Sequence, residues 1–252
     1  MKTIGIVCEG DRDNDMIKAV VAHFMEEEFQ FLWLQPSTEF GNIQNGSGWK
    51  GVWRWCRALS GSLHQYLTDI DPKIDLLIIQ MDADVARCEK EAFCLAIDMK
   101  CPGQLQEDPL NCSIAKGGNC AQKLPPNGVC DGSVKERTDY LRKVITNLLA
   151  LDGSESVVIT IPCDSTDTWV LAAFEDGLTD AERIVDPWSI ITHRKEYHGI
   201  RIPKGKKSKK PYSQLIDHVC KNWALVKARC PQSLRFETDV KNALAKELQT
   251  AE

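Results

Sequence analysis

Two predominantly apolar runs, residues 3–8 and 76–81, constrain this 252-residue chain more than any other feature. Neither alternates apolar with polar positions, so each suits a central strand covered by helices on both faces, the pattern of a parallel sheet. Each run also ends in acid: Glu9-Gly10 follows the first, and Asp82-Ala83-Asp84 ends the second. Residues just past the C-terminal ends of parallel strands share one edge of the sheet, where such folds bind ligands. Glu9 and Asp82 are therefore expected to face one crevice. In an extended Asp-x-Asp segment side chains alternate, so Asp82 and Asp84 would point to the same side and share one ion.

The segments between these runs read as helices and further strands. Met16, Ile17, Val20, Val21, Phe24 and Met25 recur at helical spacing, with Asp11 or Asp13 placed to cap the helix start. Residues 29–34 form a second strand. A glycine-containing loop over 36–48 leads to a helix carrying Trp49, Val52, Trp53, Cys56, Leu59 and Leu63. Ser133 and Glu136 have capping-box spacing ahead of Tyr140, Leu141, Val144, Ile145, Leu148 and Leu149. Residues 155–161 supply another strand, 170–174 a short helix, and 212–228 and 236–248 two more helices. The predicted class is α/β, a Rossmann-like parallel sheet flanked by helices, over residues 1–180. Residues 86–132 read as an insertion, and 181–252 as a mainly helical region with a basic loop, packed on the same domain.

Six cysteines, Cys88, Cys94, Cys101, Cys112, Cys120 and Cys130, fall in or beside that insertion. They lack the close Cys-x-x-Cys pairs of zinc knuckles and iron–sulfur sites, so free or buried thiols are favoured over structural zinc or disulfides. No apolar run approaches the roughly 20 residues needed to cross a bilayer, and the opening residues lack a signal-peptide pattern. The expectation is a cytoplasmic protein without a membrane partner.

Gathering three or four carboxylates without a cation is unfavourable, because like charges raise one another's proton affinity. A hard dication removes that penalty. Magnesium (or manganese) takes oxygen ligands, one or two carboxylates with water and phosphate oxygens, which matches Glu9, Asp13, Asp82 and Asp84. The chemistry implied is metal-assisted attack on a phosphoester. Two other readings stay open: a phosphatase or phosphotransferase with Asp82 as a covalent nucleophile, and a non-catalytic module that binds nucleic acid or a partner.

Val7-Cys8-Glu9-Gly10 with Asp13 three positions on resembles the first motif of TOPRIM domains, especially in OLD-type nucleases, and Met81-Asp82-Ala83-Asp84 resembles their second. The resemblance implies a TOPRIM-like fold over the first half of the chain and nuclease activity. It also implies an acid/base or metal-linked role for Glu9, magnesium binding by Asp82 and Asp84, and help from Asp13 with a second ion. The segment 161–169, with Pro162, Asp167 and Trp169, is similar to one in small stand-alone TOPRIM-like proteins of prokaryotic defence loci. It makes Asp167 a candidate catalytic acid, with helix capping as its alternative. No Gly-x-x-x-x-Gly-Lys-Ser/Thr occurs, so the resemblance implies a partner ATPase or other defence subunit.

A net charge of −5 excludes a generally basic nucleic-acid coat, so contact with DNA or RNA must come from a local patch. Lys204, Lys206, Lys207, Lys209 and Lys210 form one, with Arg194, Lys195 and Arg201 nearby. His193 and His198 are candidate proton shuttles beside it. Trp49 and Trp53 sit at core spacing, and Trp55 is placed either for packing or for stacking on bases. Gly46-Ser47-Gly48 could cradle a phosphate through backbone amides. A homo-oligomer is left open.

Overall fold

In a computed structural model, the structure describes residues 1–88, 133–203 and 206–250, apart from positions 26, 37, 40–41, 44, 154–155 and 194. The bulk of the predicted insertion, with Cys94, Cys101, Cys112, Cys120 and Cys130, lies outside the described residues, as does Lys204.

Strands β1 (Lys2–Val7), β2 (Phe29–Gln35), β5 (Leu76–Gln80) and β6 (Val157–Thr160) form one sheet in the order β2-β1-β5-β6. Every neighbouring pair in it is parallel. Two-residue strands make small hairpins elsewhere, β3 (Thr38–Glu39) with β4 (Asn42–Ile43) and β7 (Glu196–Tyr197) with β8 (Ile200–Arg201). The helices are α1 (Asp11–Phe24), α2 (Gly48–Ala58), α3 (Leu63–Asp69), α4 (Asp84–Cys88) and α5 (Val134–Leu149). They continue with α6 (Asp167–Phe174), α7 (Pro187–Thr192), α8 (Lys209–Lys221), α9 (Trp223–Arg229) and α10 (Pro231–Thr250).

The apolar runs are explained by two separate cores, one on each face of the sheet. Ile4, Ile6, Leu76, Ile78 and Val158 face a core completed by α1, α6 and α8–α10, including Met16, Trp169, Tyr212, Trp223 and Phe236. Val7, Leu77, Ile79 and Ile159 face the other, with Val52, Trp53 and Cys56 of α2, Leu63 of α3 and Leu141 and Ile145 of α5. Period-two alternation sends successive residues into opposite layers, so apolar residues are favoured on both faces of these strands. The C-terminal helices share the first core with β1 and β5, and so pack on the sheet itself.

Several local expectations change. Helix α1 begins behind Gly10, so Asp11 and Asp13 stand in its first turn instead of capping it. The predicted 49–63 helix is two helices separated by a turn around Gly61, whose φ is +72°. The predicted 212–228 helix breaks at Asn222, whose side chain donates back to the His218 carbonyl at 3.0 Å. Trp55 is buried beside Trp49 and Trp53, edge-on to Tyr66, so none of the three is a stacking platform for bases. The capping box is present as predicted: the Ser133 hydroxyl accepts from Glu136 N, and the Glu136 carboxylate accepts from Ser133 N at 2.6 Å.

Candidate acidic site at the C-terminal sheet edge

β1 and β5 are adjacent and parallel, and this brings the two acid-bearing turns together. The Asp82 backbone N–H donates to Glu9 Oε1 at 2.8 Å across 73 residues of sequence. Gln80, fully buried at the end of β5, closes the same junction: its Oε1 accepts from Glu9 N at 3.1 Å, and its Nε2 donates to Asp82 Oδ1 at 2.6 Å. Sequence reasoning passed over Gln80. Its signal was a polar terminus on an otherwise apolar strand, Leu-Leu-Ile-Ile-Gln. β2 ends the same way in buried Gln35, which donates to the Gly46 carbonyl at 2.7 Å and so holds the glycine loop near Glu9. Gly48 N then donates to Glu9 O at 2.8 Å. The loop thus braces the site through backbone bonds.

The segment carrying Asp82 and Asp84 is not extended. β5 ends at Gln80, Ala83 lies in a turn and Asp84 opens α4, so strand alternation is not what orients the two acids. The segment is held instead by the loop after β6: Ala83 N donates to Pro162 O at 3.0 Å and Asp84 N to Asp164 O at 3.3 Å. Asp164 adopts a left-handed backbone (φ +57°), and its carboxylate accepts from Asp186 N at 2.6 Å. Asp84 remains close enough to add repulsion at both Glu9 and Asp82.

Asp13 joins from α1. Only 8% exposed, it accepts the Thr166 hydroxyl at 2.7 Å, which ties the first acidic turn to the 161–169 segment. Asp167, 1% exposed, accepts from the Tyr212 hydroxyl at 2.9 Å and pairs with Lys207 Nζ at 2.5 Å. Both of its oxygens are thus engaged, Oδ1 by the Tyr212 hydroxyl and Oδ2 by Lys207. Its position in the first turn of α6 also removes the capping alternative, since the N-cap is Thr166. Lys207 is the surprise of the basic loop. Its amine lies over the rings of Trp188 and Tyr212, at 5.3 and 5.9 Å from their centroids, and its carbonyl accepts from Arg12 Nε at 3.0 Å. Lys206, Lys209 and Lys210 stay exposed beside it.

The electrostatics follow from this packing. Burial pushes the Glu9 carboxyl up to about 8, helped by the charges of Asp13 and Asp84, while the Asp82 and Trp49 backbone N–H groups pull it down. Burial likewise raises Asp82 well above the carboxylate range, with Glu9, Asp13 and Asp84 adding to the effect and Lys207 opposing it. Asp13 is raised by burial, against the Thr166 hydroxyl and Lys207. Burial works against the charge on Lys207, but Asp167, Asp13 and Asp82 outweigh it and hold the ammonium protonated.

Glu9 and Asp82 are therefore joined directly, Asp13 and Asp84 lie close enough to act on them electrostatically, and Asp167 is linked through Lys207. Among the described residues, no three His, Cys, Asp or Glu side chains converge into a ready-made metal cage. Magnesium does not require one, because it commonly binds through one or two carboxylates with water and phosphate oxygens filling its remaining positions. Glu9, Asp13 and Asp82 are oxygen donors of raised proton affinity, the donor type a hard dication takes, and Lys207 opposes the rise at Asp13 and Asp82. His193 and His198 line a different cleft of about 710 Å³ with Glu175, Glu196 and Tyr197. His198 Nε2 lies 3.4 Å from Glu175, and neither histidine is bonded to the acid cluster.

Comparison of the chain with family models, with curated proteins and with solved structures finds no match. What the fold defines is thus the class alone, α/β with a four-stranded parallel sheet flanked by helices. No described helix is long and apolar enough to cross a membrane.

Proposed function

We propose that the chain is a TOPRIM-like, magnesium-dependent nuclease that hydrolyses phosphodiester bonds of DNA or RNA. The observation that carries this reading is the junction of Glu9 with Asp82 at 2.8 Å, built from two strand ends and surrounded by Asp13, Asp84 and Lys207. Asp82, Asp84 and Glu9, with Asp13 beside them, are the residues that would hold the ion. When bound, magnesium supplies charge neutralisation at the phosphoryl oxygens and a more acidic water.

The chain's own groups have separable tasks. Glu9 holds its proton up to about 8 in the metal-free protein, and would become an acceptor for the proton of the attacking water once a bound cation offsets the effect of its burial. Gln80 fixes Asp82 by donating to Oδ1. Lys207, held by Asp167 and Tyr212, presents a fixed positive charge to a phosphate entering the site. Exposed Lys206, Lys209 and Lys210 continue that charge outward along the start of α8, a path for the neighbouring phosphates of a strand. The OLD-type motifs support a place in defence against mobile DNA, with an ATPase partner.

The direct test is incubation of the purified protein with single- and double-stranded DNA and RNA in magnesium or manganese. Metal-dependent cleavage that falls at least ~100-fold in Glu9→Gln and Asp82→Asn is expected, the scale of losing one electrostatic or acid/base group. Cleavage indifferent to both substitutions, or none with either metal, defeats the reading.

A further inference from the structure

We propose that the chain forms a two-fold dimer through antiparallel pairing of β2 with β2 of a second copy, giving one continuous eight-stranded sheet. β2 is an edge strand, and among the described elements only β1 is hydrogen-bonded to it. Its seven residues, Phe-Gln-Phe-Leu-Trp-Leu-Gln, contain no charge and no proline, the two devices that most often protect an exposed edge. The opposite edge strand, β6, has four residues and lies against α10. Among the described residues, the sheet therefore has one long open edge.

The side chains along that edge are aromatic on a single face. Phe29, Phe31 and Trp33 alternate onto the α1 side, where Phe29 and Phe31 are half-buried with centroids 6.3 Å apart and Trp33 is 39% exposed. The aliphatic part of Lys18 reaches over Phe31, its amine 5.7 Å from the ring centroid. The inner part of this face is covered by α1, which leaves the aromatic row at the margin of the core.

The occupant is identified by self-complementarity. An antiparallel pair centred on Phe31 sets Phe31 against its own copy and Phe29 against Trp33 twice, and directly opposed residues share a face. Three aromatic cross-strand pairs form on one side. In the same register Glu28 falls opposite Leu34 and Glu27 opposite Gln35, so no acid meets an acid. A foreign strand would have to supply this pattern, whereas a second copy already contains it. Because each chain offers one such edge, assembly closes at two. The two acidic sites then lie at opposite ends of the joined sheet, each complete within one chain, so this inference stands apart from the nuclease reading.

Sedimentation equilibrium of the intact protein tests it, with a mass of twice 28.3 kDa expected at micromolar concentration. Trp33→Lys and Phe31→Lys should each weaken the dimer at least tenfold, whereas Leu234→Lys, an exposed apolar position on α10, should leave it unchanged. Hydrogen exchange on the wild type guards against a folding defect in the variants: amides of 29–34 should exchange more slowly above the dimerisation concentration than below it. A protein that is monomeric at high micromolar concentration, or a dimer whose 29–34 amides exchange equally at all concentrations, overturns the proposal.

Discussion

Glu9 keeps its proton to about 8 because burial strips water from its carboxyl, and this sets the sign of the pH dependence. The unfolded chain releases that proton near the ordinary value of 4.5, so between the two values the folded state binds more protons and stability falls as pH rises. Buried Glu182, raised to about 7, acts in the same direction. Melting the metal-free protein across this range should show a declining transition temperature. Glu9→Gln should flatten the decline, and magnesium at the alkaline end should reverse it by binding only the folded state. At Lys207, substitution by Met leaves Asp167 buried and unpaired. Removing one partner of a fully buried pair costs ~3–5 kcal/mol; about 2–3 kcal/mol is expected here, because the Lys207 side chain is 32% exposed, and denaturant unfolding measures it. Glu9, Asp82 and Asp84 were legible as a group because each follows a predominantly apolar run. Gln80, Thr166 and Tyr212 were not, because their roles depend on partners that only the folded chain brings near.

Individual elements carry their own tests. The reciprocal Ser133–Glu136 cap satisfies amides at the start of α5, and Ser133→Ala should lower stability by about 1 kcal/mol in denaturant unfolding. Gly51 in α2 is a matter of space: a Cβ there would lie 2.5 Å from both the Gly46 carbonyl oxygen and Gln35 Nε2. Gly51→Ala must therefore displace the loop that braces Glu9, and overpacking of this kind costs about 1–3 kcal/mol. Because the loop is tied to Glu9, cleavage activity should fall in the same variant. β1 and β5 could be read from sequence because burial on both faces favours apolar residues at nearly every position, whereas half-exposed β2 was legible from its aromatic and aliphatic content. Helix breaks at Gly61 and Asn222 interrupt apolar periodicity that continues on either side, so spacing alone merged the pieces. The turn at Ala83 was hidden for a related reason, since it is held by carbonyls of the loop after β6, some eighty residues away in sequence.

Over the whole molecule the net charge is −5, so any grip on nucleic acid is local and should depend steeply on salt. Replacing Lys206, Lys209 and Lys210 with Gln should reduce the slope of log affinity against log salt by about 2–3, at ~0.7–0.9 per phosphate contact. A filter-binding salt series measures that slope, and an unchanged slope removes the basic run from the binding surface. The sheet, its two cores and the meeting of its acidic turns were implied by pattern. The entry of Lys207 into the acid cluster was not, because a run of lysines carries no signal of which one turns inward. The nuclease reading requires that the acids following β1 and β5 form one pocket for a divalent ion. Its most direct measurement is manganese binding followed by the electron paramagnetic resonance of the free ion. Saturable binding that magnesium displaces, and that Asp82→Asn and Glu9→Gln each weaken at least ~10-fold, is the predicted result. Binding that is absent, or unaltered by both substitutions, leaves the proposed ion without a site.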